Sequence, residues 1–367
     1  MASEKTFSPN ETTEPAHSAS ARRLIHTTPM KVSGKPMVTV TEVALKAGVS
    51  LATVSRVQNG NMTVAPEMRE KVHAAIKALG YRPNPMAQGL RKGRSNTVAL
   101  LVGDLAQRHF SELTLHVQTA LEDVGMDLML FNQGHSDLRL DDFFRRAMSM
   151  SLRGVAIAMS DMVPASIAPM IRELQKNGTM VVSIGQNLTR YSVPSVVYDE
   201  TDSSRRAVEY LLASGRTRIA YIGRIKGSAI GTERCRGYKT AMEAAGCFDP
   251  ALVWDRKYRY AAGRAAVEEA LDQGLTFTGI QAGSDEIAAG AMAALSDRGM
   301  SVPGDVAIIG FGDVEMGAYL RPSLTTLSSD PKATAEHVRR FFEGGAAGQP
   351  PGTAITIERA LVHRDSA

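Results

Sequence analysis

From residue 96 onward the chain alternates short apolar runs with amphipathic stretches, and this alternation restricts its fold more than any other feature. Strands are expected at 97–103, 126–131, 154–159, 179–184, 195–198, 218–223, 279–283 and 305–310. Helices are expected between them, at 110–124, 202–214, 234–245, 263–273 and 286–297. Near-continuous apolar strands separated by helices mean parallel sheets covered on both faces. Spread over about 250 residues, such an array makes two doubly wound α/β units rather than one. The glycines of GFGDVEMG follow a strand without dinucleotide-binding spacing, so they read as a turn.

The preceding stretch has a different texture. Residues 40–58 read as two short helices around a tight turn. Thr41 is the expected N-cap of the first, with Val43, Ala44 and Ala47 on its apolar face. Gly48 supplies the positive φ that ends that helix. Ser50 caps the second, in which Val54 and Val57 point inward and Leu51, Ala52, Thr53, Ser55 and Arg56 point out. This is a helix-turn-helix pattern, whose second helix enters the DNA major groove. A third helix opens at Pro66 and places Met68, Val72, Ile76 and Leu79 on one face before Gly80. Residues 84–92, with Asn84 as cap and Pro85 at the first position, make a helix too short to stand alone in water. The segment is either a plain linker or a helix that forms only when two copies meet on DNA. In the second case Leu90 is available as an apolar wedge in the minor groove.

Charge follows the same division. The net charge is +4 over 367 residues. Residues 38–95 carry nine basic and three acidic side chains, while the body after them is net negative. A cationic unit on a neutral-to-acidic body suits phosphate contact. Residues 1–37 are polar and aperiodic, and are expected to be disordered and dispensable, with translation starting further in as one option. They lack the apolar core of a signal peptide, and no run approaches the roughly 18 apolar residues of a membrane span. A cytoplasmic location and no membrane partner are therefore expected. Cys235 and Cys247 have no metal-ligand spacing and read as idle thiols. No phosphate-binding loop, HExxH or GxSxG motif occurs, so neither an enzymatic activity nor a cofactor or metal is expected. From the residues alone, the competing reading is a soluble sugar-binding protein without a DNA role.

The motifs together are specific. VTEVALKAGVSLATVSRVQNG resembles the DNA-binding signature of the lac repressor (LacI/GalR) family of bacterial transcriptional regulators. REKVHAAIKALGYRPNPMAQGLRKGRSNTVALLVGD resembles that family's third helix, hinge and first core strand, and SGRTRIAYIG, RCRGYKTAM, GSDEIAAGAM, VPGDVAIIGFGD and RPSLTTL follow in the family's order. The resemblance implies three parts: a disordered extension over 1–37, a headpiece over 38–95 that includes a hinge helix at 84–92, and a periplasmic-binding-protein-like body over 96–367. The chain should cross between two lobes three times. Lobe one is expected at 96–197 plus 310–350, and lobe two at 199–309 plus a final strand near 355–363. No heptad tail follows, so a tetramerising coiled coil is not expected.

The resemblance also assigns roles. Leu51, Ala52 and Arg56 match base-reading positions, with Arg56 suited to guanine O6 and N7. Thr39, Ser50, Thr53, Ser55, Asn59 and Tyr81 would position the DNA backbone, and Leu90 matches the intercalating hinge leucine. Arg234 and Asp285 would face an effector across the cleft, with Phe110 and Tyr258 as walls. The expected partners are a near-palindromic operator, a second copy of the chain, and an effector that is a sugar or sugar acid ahead of a nucleobase. The function implied is a repressor whose operator affinity the effector controls.

Overall fold

A computed structural model describes residues 38–58, 63–82, 95–344 and 352–367. The expectations for residues 1–37, Asn59 and the hinge segment with Leu90 lie outside these residues. The chain divides into two compact units, one ending at Pro83 and the other beginning at Asn84.

The first unit holds α1 (Val40–Ala47), α2 (Leu51–Gln58) and α3 (Pro66–Leu79). Val43, Val54 and Val72 are fully buried and form its core with Ala44, Val57 and Ala75. The cap of α1 is Thr39, not Thr41. Thr39 N–H donates to Glu42 Oε2 at 2.6 Å and Glu42 N–H donates to Thr39 Oγ1 at 3.3 Å, the reciprocal box that a T-x-x-E spacing permits and that Thr41, with Ala44 three residues on, cannot make. Gly48 ends α1 at φ 67°, as expected. On α3 the buried positions are Val72 and Ala75, whereas Met68 is exposed. The expected Ile76 and Leu79 are half-buried against the same core.

The second unit is two lobes, each with a six-stranded sheet. Lobe one holds β1 (Thr97–Val102), β2 (Asp127–Asn132), β3 (Gly154–Ala158), β4 (Met180–Ile184) and β5 (Ser195–Tyr198). Its helices are α4 (Arg108–Glu122), α5 (Asp137–Ser149) and α6 (Ala168–Lys176). Lobe two holds β6 (Ile219–Gly223), β7 (Val253–Asp255), β8 (Gly279–Ala282), β9 (Ala307–Gly312) and β10 (Thr325–Ser328). Its helices are α7 (Glu200–Ala213), α8 (Ala229–Ala244), α9 (Tyr260–Asp272), α10 (Asp285–Asp297) and the short α11 (Met316–Tyr319). The chain then returns to lobe one with α12 (Pro331–Gly344) and β11 (Ala354–Ile357), and ends in lobe two with β12 (Leu361–Val362).

The strand orders are β11-β5-β4-β3-β1-β2 and β12-β10-β9-β8-β6-β7. Every pairing is parallel except β10 with β12. The three crossings occur as expected, but the expected bounds need correcting. Strand β10 pairs with β9, so 310–328 stays in lobe two; β11 pairs with β5, so 354–357 belongs to lobe one. Only β12 of the expected final strand joins lobe two, because Glu358–Ala360 interrupts the apolar run at the crossing.

Two apolar layers sandwich each sheet. Leu100, Val102, Leu113 and Phe341 are among those on one face of the first, and Leu101, Phe144 and Ile157 on the other. In lobe two, α9 and α10 approach closely through Gly263 and Gly290. A Cβ on Gly290 would sit 2.0 Å from the Tyr260 carbonyl oxygen, and one on Gly263 would sit 2.1 Å from that of Ile287. No helix among the described residues is long and apolar enough to cross a membrane.

Candidate functional site

On the headpiece, α2 is fixed from below and open above. Ser50 Oγ accepts from Thr53 N–H at 3.2 Å and lies 3.0 Å from Thr53 Oγ1, which sets the first turn. Val54 and Val57 anchor the helix in the core. Leu51, Ala52 and Arg56 are exposed, and Thr53 and Ser55 are half-buried. Tyr81 is half-buried against the headpiece core, and the Thr39 hydroxyl donates to Glu42 Oε2 at 2.9 Å. Leu51, Ala52, Thr53, Ser55 and Arg56 form the open face of a helix whose other face is locked by Val54 and Val57. Such a surface can enter a groove without losing its own packing.

The body's cleft lies at the carboxyl ends of the strands of both lobes. The lobes are drawn together by backbone contacts, with Ala229 N–H donating to Ser160 O at 3.1 Å and Met162 N–H to Gly227 O at 3.0 Å. An ionic cluster adds to these. Asp104, His135 and Asp161 of lobe one meet Arg224 and Arg259 of lobe two, and His135 Nδ1 lies 2.8 Å from Asp161 Oδ2. The enclosed cavity is only about 50 Å³, and beside the first crossing, at Tyr198 and Glu200, it adjoins a wider opening of about 800 Å³. A hexose would therefore need the lobes to part, since small-molecule sites typically occupy about 300–1,000 Å³.

Of the expected effector residues, the structure brings Phe110, Arg234 and Tyr258 to this cavity. Asp285 does not line it. Its carboxylate turns into lobe two, accepting from Thr326 Oγ1 at 2.5 Å and from Val314 N–H at 2.8 Å. Burial lifts its pKa to about 7 against those hydrogen bonds. The next residue, Glu286, faces the cavity instead and accepts from Arg108 N–H of lobe one at 2.9 Å. Consecutive residues on a helix diverge by about 100°, so only one of the two carboxylates can look into the cleft.

Arg234 is held by Glu200, which the sequence reading missed. Arg234 Nε donates to Glu200 Oε2 at 2.7 Å and Nη1 to Gly283 O at 2.5 Å. Arg359, 1% exposed, donates from Nη2 to the same carboxylate at 2.8 Å and from Nη1 to Ser328 O at 2.9 Å. Its guanidinium lies 4.1 Å from the Tyr198 ring centroid, and that of Arg234 lies 4.0 Å from that of Phe311. Glu200, Ser328 and Arg359 stand at the first, second and third crossings between lobes, so Arg359 ties all three. Burial pushes the Glu200 carboxyl up, but the two guanidiniums outweigh it and hold it at about 2. His109 lines the same cavity; burial, with Arg359 and Arg234, takes it down to about 3, so it is neutral. A basic residue in the strand-like run ITIERALV was the one local sign of Arg359. Among the described residues no cluster could hold a metal ion.

Comparison with known proteins accounts for both units. Residues 39–84 match the model for bacterial regulatory proteins of the lacI family, and residues 208–367 match a periplasmic binding protein-like domain. The regulator AscG of Escherichia coli is 31% identical over 349 residues, covering 90% of this chain and 98% of its own. Catabolite control protein A of Priestia megaterium is 32% identical, covering 79% and 87%. The solved complex of transcriptional regulator CelR with cellobiose has 30% identity and a TM-score of 0.67 over 90% of this chain and all of that one. The lac repressor dimer bound to operator, at 23% identity, shares the fold with a TM-score of 0.82 over 90% and 99%. The chain belongs to the lacI family of bacterial regulatory proteins: it is a DNA-binding transcriptional regulator with an effector-binding body, not an enzyme.

Proposed function

We propose that the chain is a repressor that binds a near-palindromic operator as a homodimer and whose grip is set by a sugar or sugar acid in the cleft. Residues 38–95 read DNA, and residues 96–367 hold the effector and the second copy. Leu51, Ala52 and Arg56 contact base edges. Thr39, Ser50, Thr53, Ser55, Asn59 and Tyr81 hold the phosphates, while Leu90 opens a base step from the hinge segment 84–92. Arg234, Phe110 and Tyr258 touch the effector, with Glu286 in the role first given to Asp285.

The observation that carries this reading is the division of α2: positions expected to read bases are exposed, and the valines between them are buried. The solved complex of CelR with cellobiose supports a sugar as the ligand class. Exposed Leu115 and Leu138, on the helices flanking edge strand β2, support a second copy on lobe one.

Selection of operator DNA from a random pool, followed by fluorescence anisotropy in rising salt, tests the reading. Affinity should fall steeply with log salt, because phosphate contacts release counterions. Arg56→Ala should lose about 1–3 kcal/mol and relax preference at one base pair per half-site. Recovery of no preferred sequence by the full chain at low salt would remove the proposal.

A further inference from the structure

Four buried polar atoms around the cleft lack a hydrogen-bond partner: Gln107 Nε2, Ser160 Oγ, Tyr258 Oη and Arg359 Nε. Their residues are 7%, 5%, 5% and 1% exposed. Native proteins leave few buried polar groups without a partner, so a group of them around one cavity calls for something that pairs with them. An amide NH₂ and a guanidinium N–H can only donate, and a hydroxyl can donate. The cleft therefore presents donors that call for acceptors.

Charge points the same way. Arg234 and Arg359 remain cationic whatever their surroundings, and both lean on the single carboxylate of Glu200. The ring faces of Tyr198 and Phe311 offset part of the excess. Helix α4, fifteen residues long, starts beside the cavity with Gln107 as its N-cap, and that side chain makes no capping bond. Its dipole adds positive potential there. His109 in its first turn contributes no charge. The opposing group is Glu286, whose carboxylate suits hydroxyl donors.

We propose that the effector is an anionic polyol, a sugar acid or sugar phosphate. Its acid group accepts from Arg359 Nε and Gln107 Nε2, and its hydroxyls donate toward Glu286. Gln107 of lobe one and Arg359 of the third crossing line this same cavity, with Glu286 of lobe two. The inference rests on the reading of this cleft as a sugar site and goes further by requiring charge.

Calorimetry on the full-length protein with matched pairs tests it: D-gluconate against D-glucose, D-galacturonate against D-galactose, and glucose 6-phosphate against glucose. In at least one pair the acid should bind tighter by about tenfold or more, as charge-assisted hydrogen bonds are the stronger kind. The gluconate and phosphate arms separate carboxylate from phosphate recognition. Gln107→Ala, which removes a donor but no helix cap, should shrink the preference for the acid without weakening the neutral sugar. Neutral sugars that bind as tightly as their acids in every pair that binds would overturn acid recognition and leave the sugar site standing. Failure of every member of every pair to bind would overturn both.

Discussion

Glu200 is the residue on which the cleft's electrostatics turn. It takes part in ion pairs with two buried arginines, one of them 159 residues away in sequence. Removing one partner of a buried ion pair typically costs about 3–5 kcal/mol, because the remaining charge is stranded. Glu200→Gln should therefore lower unfolding free energy by about that much, measured by chemical denaturation, while Arg56→Ala on the exposed face should leave it unchanged. Two further groups act in opposite directions with pH. His109 is depressed to about 3, so its contribution is present above 6.5 and lost as pH falls toward 3. Asp285 is raised to about 7, so its contribution is present below 3.8 and lost as pH rises toward 7. Between about pH 4 and 6.5 the two nearly cancel. His109→Gln should unmask the second, making stability rise on acidification by up to about 1.4 kcal/mol per pH unit, and Asp285→Asn should do the reverse. Parallel pH profiles for both variants and the parent would refute these placements. Arg234 was legible because its R-x-x-G-aromatic setting is local. Glu200 and Arg359 were not, since only the folded crossings bring them together.

Among the elements, those with long periodic patterns were the readable ones. The central strands and α7 to α10 stand close to where apolar runs and caps place them. Helix α6 was not expected: it has nine residues, too few to be stable alone, and only packing of Ile171 and Leu174 on lobe one makes it a helix. The lobe bounds failed for a related reason. Short strands such as β10 and β11 gain their identity from the partner they pair with, and four residues do not specify that partner. Helices α9 and α10 show how tightly the body constrains composition. Gly290→Leu should force them apart and cost about 3 kcal/mol or more, read as a lowered melting temperature, whereas Ser296→Ala at the exposed end of α10 should cost little.

For the whole molecule, the account joins a locked-and-open headpiece to a body whose lobes are tied through three crossings. Dimerisation through lobe one predicts that Leu115→Glu, at a side chain 64% exposed, yields a monomer in analytical ultracentrifugation and weakens operator binding, with the fold intact by circular dichroism. Control of DNA by the cleft is a coupling free energy, typically about 1–3 kcal/mol, and must be reciprocal. The most direct measurement is the operator affinity of the full chain, by fluorescence anisotropy, with and without a sugar or sugar acid shown by calorimetry to bind. The account predicts a change of about 5- to 150-fold, lost in Arg234→Ala while the variant's ligand-free DNA affinity is retained. A ligand that fills the cleft of the parent and leaves its operator affinity unchanged would contradict it.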